Sequence, residues 1–228
     1  INTPNRKIIT VEDPVEYQLA GINQVQVNPL AKMTFANALR AMLRQAPNII
    51  MVGEIRDMET AVIAINASLT GHLVFSTLHT NDAPSAVTRL IDMGVQPFLV
   101  ASAVKAIMAQ RLLRRVCKNC AEPAKPTPDE LRLLGLDEKF MDTATLLKGR
   151  GCPACGKTGY KGRLGIYEIF LVGEEIQHLI YTKCSADVIR DAARKGGMMT
   201  LREDGLRKAA AGTTTLSEVI ATTIGDAE

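Results

Sequence analysis

Apolar positions along the first half of the chain fall into two rhythms. Short β-branched runs predict strands at Lys7–Val11, Ile49–Val52 and Leu73–Thr77. Between them apolar residues recur at helical spacing, so the whole reads as βα units on a mostly parallel sheet. Thr34 is placed to cap a helix whose apolar face is Phe35, Ala38, Leu39, Met42 and Leu43, with Pro47 marking its end. Further helices are expected over Met58–Leu69, Pro84–Met93 and Pro97–Leu113. After Arg115 the rhythm breaks. Residues Cys117–Cys155 are proline-rich and hold one short helix, announced by Thr127-Pro128-Asp129-Glu130. Beyond them come a strand at Gly165–Val172 and helices at Ala186–Lys195, Thr200–Ala211 and Leu216–Thr223. Thr215 and Glu218 repeat the capping-box spacing. The fold class is α/β, divided as a sheet-and-helix core over 1–115, a small module over 116–160 and a mainly helical part over 161–228.

Each of the three strands ends in polar residues: Glu12-Asp13-Pro14-Val15-Glu16, Gly53-Glu54-Ile55-Arg56-Asp57 and Thr77-Leu78-His79-Thr80-Asn81-Asp82. An open parallel sheet gathers such ends at its carboxyl edge, where ligands bind. Acidic residues there can hold Mg²⁺ through water and orient or deprotonate an attacking water, and a histidine can donate to a phosphate oxygen. One acid after a strand is ordinarily a solvated turn or a helix cap, and one histidine a structural residue. Three such ends in register along one edge reverse that weighting. The apolar run before Gly53-Glu54 has the shape of a Walker B element, with Glu where many NTPases have Asp.

Composition narrows the function further. At 228 residues and 46% hydrophobic content the chain can bury a core, which excludes disorder. The sequence shows neither the ~18 consecutive apolar residues of a membrane span nor a secretory signal pattern. A net charge of only +3, with no Trp and few Tyr and Phe for stacking, argues against a nucleic-acid partner. Cys117, Cys120, Cys152 and Cys155 form two Cys-x-x-Cys pairs, which points to a reducing compartment and a tetrahedral structural Zn²⁺. Empty reduced cysteines or an adventitious disulfide are the alternatives, and the paired spacing favours zinc over an iron–sulfur cluster. Arg114, Arg115, Lys118, Arg150 and Lys157 flank the pairs and offset the charge of four thiolates. Cys184 stands apart as an ordinary thiol.

The strings ITVEDPVEYQ (Ile9 to Gln18), LRQAPNIIMVGEIRD (Leu43 to Asp57) and TGHLVFSTLHTND (Thr70 to Asp82) closely resemble the Asp box, Walker B and His box of the secretion ATPase superfamily. The resemblance continues through AQRL (Ala109 to Leu112), both cysteine pairs and LREDGLRKAAAGTTTLSEV (Leu201 to Val219). The paired cysteines match the GspE/PilB-type branch, which powers type II secretion and type IV pilus assembly. The resemblance implies part of a RecA-like core over 1–115, with ATP and Mg²⁺ as ligands. It makes Glu54 the residue that activates water and Glu12 an organiser of Mg²⁺ and water, with Asp13 beside it. It brings His79 to the nucleotide region, puts His72 in the same box, and sets Arg40, Arg44 and Arg56 near the site. Arg40 and Arg44 are four apart on one helical face, as a phosphate-facing or subunit-facing pair requires; a solvated basic stripe has the same spacing.

The same resemblance implies a homo-hexamer at the cytoplasmic face of a bacterial inner membrane, reaching the membrane only through partners such as a platform protein. Two departures stand out. Ala46 and Asn48 occupy positions that are often Asp in the family, and the only Gly-x-x-x-x-Gly-Lys-Thr string, Gly151 to Thr158, carries the second cysteine pair instead of the family's phosphate-binding loop. The resemblance sets that phosphate-binding loop upstream of Ile1. The chain is therefore expected to be a piece of a longer protein, to bind ATP poorly alone and to leave one sheet edge and some apolar surface uncovered. On that expectation a second role, a zinc-stabilised assembly module without catalysis, stays open for the isolated chain.

Overall fold

The computed structural model describes residues 1–137, 140 and 144–223. Two compact units alternate along the chain. One comprises Ile1–Thr80, Pro84–Ile107 and Leu171–Ala192; the other comprises Asn81–Ala83, Met108–Phe170 and Ala193–Glu228.

The first unit is built on strands β1 (Ile8–Glu12), β2 (Ile22–Gln26), β3 (Ile49–Val52) and β4 (Leu73–Ser76), all parallel, in the order β2-β1-β3-β4. The central strands β1 (Ile-Ile-Thr-Val-Glu) and β3 (Ile-Ile-Met-Val) are mostly apolar and buried along nearly their whole length, as strands covered on both faces are. The outer strands alternate or stay half exposed, and Leu73 and Phe75 on β4 are each 45% exposed. Helices α1 (Phe35–Met42) and α2 (Met58–Leu69) pack together, and α2 lies on β4. Thr34 caps α1 by accepting the Asn37 N–H at 3.2 Å, as expected. The helix closes through a short 3₁₀ turn, Leu43–Gln45, into Ala46, whose φ of +48° is one that Asn, Asp or Gly adopts more easily.

The chain continues through α3 (Ala83–Asp92) and α4 (Pro97–Ala103) into β5 (Ala106–Val116). Here expectation and structure part. The helix read over Pro97–Leu113 ends at Ala103, and the remainder is strand. Ala, Met, Gln, Leu and Arg are good helix formers, but Ile107, Ala109, Arg111 and Leu113 alternate inward with a period of two, and pairing with β8 outweighs propensity.

The second unit holds β6 (Ala121–Pro123), α5 (Pro128–Leu134), β7 (Leu147–Gly149) and β8 (Tyr160–Leu171). Strands β6 and β7 pair antiparallel, and β8, longer than the strand expected at Gly165–Val172, pairs with β5. Among the described residues four more helices follow: α6 (Glu174–Tyr181), α7 (Ala186–Lys195), α8 (Leu201–Ala210) and α9 (Leu216–Thr223). Helix α6, which carries Ile176 and Ile180 buried four apart, escaped the sequence reading and belongs to the first unit, against α4. Leu113, Leu134, Leu146, Ile166, Leu201 and Val219 form the core of the second unit.

Glu168, Asp204 and Glu218 are buried carboxylates of that unit. Glu218 accepts the Arg114 backbone N–H at 3.0 Å and its Nε at 2.9 Å. The Arg114 side chain above all, and then its backbone N–H, hold the Glu218 carboxyl below the ordinary glutamate range against the opposing effect of burial. A value lower in the folded than in the unfolded chain means stabilisation that is full above the unfolded value and lost as pH falls through the folded one. Glu218→Gln should therefore lower stability at pH 7 by about 1–2 kcal/mol, a charged hydrogen bond partly exposed on its arginine side. The gap between the two melting temperatures should shrink steadily below pH 4.5, the ordinary glutamate value. Equal melting temperatures at pH 7 would count against this pairing.

Candidate functional site

The register sets the strand ends side by side. Val11 pairs with Val52 and Val52 with Ser76, so Glu12, Gly53 and Thr77 come next at one level of the sheet. Gly53 lets the two strand ends approach closely: a Cβ on it would lie 3.1 Å from the Val11 carbonyl oxygen and 3.4 Å from the Glu12 Cα. The Thr77 hydroxyl donates to the Gly53 carbonyl at 2.7 Å, and the Ile55 N–H donates to the Thr77 carbonyl at 3.0 Å. These bonds join the Walker B-like and histidine-bearing ends into one shelf.

On that shelf Glu54, with its side chain 13% exposed, meets His79 Nε2 at 2.9 Å through one carboxylate oxygen and the Arg56 guanidinium through the other. Arg56 foremost, then His79, keeps the Glu54 carboxyl below its ordinary value. The reciprocal effect raises Arg56, with Asp13 contributing through its charge. Glu54 is thus an anion held between two donors, a state in which it is a weak base. A phosphate that drew either donor away would restore its affinity for a proton.

Glu12 sits at the end of β1 and takes a 2.5 Å bond from the Thr10 hydroxyl and a 3.0 Å bond from Gln24 Nε2 on the same Oε1. Gln24 also donates to the Tyr17 carbonyl at 2.9 Å. Neither Thr10 nor Gln24 was singled out from the sequence, and β2 was not read as a strand. Its only signal was the short alternation Ile-Asn-Gln-Val-Gln. With one oxygen of Glu12 so fixed and Glu54 following on the neighbouring strand, two carboxylates at the sheet edge suit a water-bridged Mg²⁺, which prefers oxygen ligands and keeps its waters.

The remaining candidates divide. Arg40 pairs with Glu59 on α2 at 2.5 Å, while Arg44 is exposed and makes no ion pair among the described residues. Asp57 caps α2, accepting the Thr60 N–H at 2.7 Å. His72 lies just before β4, at the other end of that strand from His79, where its Nδ1 is 2.9 Å from the Ala67 carbonyl. The fold brings Glu12, Asp13, Glu54, Arg56 and His79 together and leaves His72 apart from them.

A second cluster is made of sulfur. The Sγ atoms of Cys117, Cys120, Cys152 and Cys155 all lie within 4.8 Å of one another, with separations of 3.9 Å (Cys117 to Cys152), 3.9 Å (Cys120 to Cys155) and 3.7 Å (Cys152 to Cys155). Thiolates at ~2.3 Å from a tetrahedral metal form edges of ~3.8 Å, so the four sulfurs fit Zn²⁺. Two donors already point at Cys155: the Cys152 N–H at 3.2 Å and the Gly159 N–H at 3.3 Å. They hold its thiol down to about 6, while burial pushes Cys120 up to about 11. The knuckles depend on close backbone approach, since a Cβ on Gly149 would lie 2.0 Å from the Gly159 oxygen.

Comparison with known proteins gives the family. The family model described as type II/IV secretion system protein matches residues 1–221. The chain belongs to that family. It is 58% identical over 224 residues to the type IV pilus assembly ATPase PilB of Thermus thermophilus, covering 98% of this chain and 25% of that protein. It is 51% identical over 223 residues to the type II secretion system protein HxcR of Pseudomonas aeruginosa, and 48% identical over 223 residues to the type II secretion system ATPase E of Vibrio cholerae. Each of those two alignments covers 98% of this chain and 44% of the relative. The chain therefore spans less than half the length of these relatives.

Among solved structures, the pilus retraction motor PilT with bound ADP superposes with a TM-score of 0.68 at 26% identity, over 97% of this chain and 53% of that one. The Legionella pneumophila ATPase DotB does so with a TM-score of 0.66 at 21% identity, over 99% and 54%, a likeness of fold. The RecA-like α/β architecture expected from the sequence is the one found. No helix among the described residues is long and apolar enough to cross a membrane.

Proposed function

We propose that in the full-length protein this chain supplies the hydrolytic edge and the zinc-stabilised module of a motor ATPase that drives type II secretion or type IV pilus assembly. The observation that carries the reading is Glu54 held between Arg56 and His79 on the sheet edge that also bears Glu12. ATP with Mg²⁺ supplies the phosphoryl group and its charge neutralisation. Glu12 would hold the metal, Glu54 would orient and deprotonate the attacking water once its donors turn to phosphate, and His79 and Arg56 would receive the charge that develops there. The functional division is a nucleotide-site core over 1–115, a zinc module over 116–160 and a helical part over 161–228. The zinc is structural, because four thiolates leave no open position.

The motor works as a homo-hexamer on the cytoplasmic side of the inner membrane, passing its stroke to a platform protein there. It has no nucleic-acid role. The resemblance puts the glycine-rich loop and lysine that hold phosphates upstream of Ile1, and the Gly-x-x-x-x-Gly-Lys-Thr string from Gly151 to Thr158 has its Cys152 and Cys155 in the sulfur cluster, so by itself the chain neither hydrolyses ATP nor closes a ring in response to it. A nucleotide-binding assay on the chain alone tests that point, and tight binding would contradict it.

Arg44 is the best candidate for an arginine that acts across a subunit boundary, since Arg40 and Arg56 are already paired within the chain. An arginine so supplied is worth ~10³-fold or more in rate. Full-length subunits carrying Glu54→Gln, mixed with subunits carrying Arg44→Ala, should recover turnover that neither shows alone. A full-rate monomer at dilutions where no ring survives would overturn the proposal.

A further inference from the structure

The loop 13–21, between β1 and β2, keeps its two largest apolar side chains out of the core: Tyr17 is 74% exposed and Leu19 54%. Polar bonds tie the loop down instead, and most of them come from side chains of β2. Gln26 Oε1 accepts the Val15 N–H at 3.4 Å. Gln24 Oε1 accepts the Leu19 N–H at 2.8 Å, and its Nε2 donates to the Tyr17 carbonyl at 2.9 Å. Asn2 Nδ2 holds the far end through the Ala20 carbonyl at 2.9 Å. All of these residues belong to the first unit.

Gln24 differs from Gln26 by a third bond, from Nε2 to Glu12 Oε1 at 3.0 Å. Its amide is therefore used at both N–H groups and at its oxygen, and it has one orientation. Turned over, the oxygen would face two acceptors, the Glu12 carboxylate and the Tyr17 carbonyl, while the NH₂ would face the Leu19 N–H. Tying the loop needs only the bonds to Tyr17 and Leu19. The bond to Glu12 is the one that the loop does not require. With the Thr10 hydroxyl on the same oxygen at 2.5 Å, Glu12 has both donors on Oε1, and Oε2 accepts none from the described residues. Fixing a glutamate side chain costs rotamer entropy, and here the two donors meet that cost before any ligand arrives.

We infer that Gln24 is a positioning residue for hydrolysis: one amide fixes both the loop 13–21 and Oε1 of Glu12, and so leaves Oε2 as the oxygen open to Mg²⁺ and its waters. The inference rests on the site reading given above, and it adds a residue that acts only through Glu12. Gln24→Glu keeps the length and shape of the side chain but sets a carboxylate against the Glu12 carboxylate and the Tyr17 carbonyl. Glu12 then turns away from the fixed position. Gln24→Met removes the three bonds without adding charge.

The test uses the full-length protein. Gln24→Glu should lower kcat about tenfold, a change of ~1.4 kcal/mol in barrier, with KM for ATP within about twofold of the parent and the Mg²⁺ concentration for half-maximal rate raised about threefold or more. Mn²⁺ bound together with a non-hydrolysable ATP analogue, followed by electron paramagnetic resonance, should be held more weakly to the same extent. Gln24→Met should act in the same direction but less, since it adds no like charge. Gln26→Ala, which frees the same loop without touching Glu12, should stay within about twofold of the parent in each of these measurements. Gln24→Glu combined with Glu12→Gln exchanges donor and acceptor. That double variant should recover the melting temperature lost in Gln24→Glu, yet turn over no faster than Glu12→Gln alone. A Gln26→Ala protein as impaired as Gln24→Glu, or an unchanged kcat and Mg²⁺ requirement in both Gln24 variants, would overturn this inference alone. Normal turnover in Glu12→Gln would overturn the role given to Glu12 and this inference with it.

Discussion

Glu54→Gln in the full-length protein should abolish most ATP turnover, by about 10²-fold or more as for the loss of a general base, while ATP binding stays largely intact. The amide keeps the shape of the carboxylate and can still accept from Arg56, but it neither takes up a proton nor presents an anion to the attacking water. Glu12→Gln should slow hydrolysis too. The measurement is steady-state phosphate release alongside equilibrium binding of a fluorescent ATP analogue. Normal turnover in Glu54→Gln would show that the strand ending at Val52 is not the hydrolytic one. Loss of binding in step with turnover would show that Glu54 serves the ground state rather than the reaction.

The second large effect is in the sulfur cluster. Freshly purified reduced protein should contain about one Zn²⁺ per chain by elemental analysis. Cys117→Ser or Cys152→Ser should expose the module between Cys117 and Cys155 to protease. The sulfurs come from two pairs brought face to face by the β6/β7 pairing and by the Cys117 N–H bond to the Gly159 carbonyl, so losing one ligand opens both pairs. Structural zinc contributes on the order of 10 kcal/mol to small modules, far more than the hydrogen bonds there could replace. Reduced protein with no zinc, or a serine variant with an unchanged proteolysis pattern, would refute the metal assignment.

Much of the site was legible beforehand because its chemistry sits at strand ends, and strand ends are marked where an apolar run gives way to charge. Ile49–Val52 followed by Gly53-Glu54 could be read in that way, and so could Leu73–Ser76 leading to His79. The ligands of Glu12 were not legible. Gln24 belongs to a polar, half-exposed strand whose only reason to be a strand is its pairing with β1. Likewise nothing in sequence spacing told Arg40, committed to Glu59, from Arg44, exposed without an ion pair among the described residues.

By itself the sequence determined much of the alternation of strand and helix in the first half, the helix starts at Thr34, Thr127 and Thr200, and the two Cys-x-x-Cys pairs, because each depends on residues within a few positions of one another. Those local patterns act through backbone geometry and capping bonds that form without distant partners. Tertiary structure alone decided that Ala106–Val116 is a strand, since residues of good helix propensity extend there only because β8 offers them a ladder. It alone assigned Glu168 to Ala83, a bond between residues 85 positions apart. Such contacts follow from register and burial, which depend on the whole chain being folded, and no local pattern encodes them.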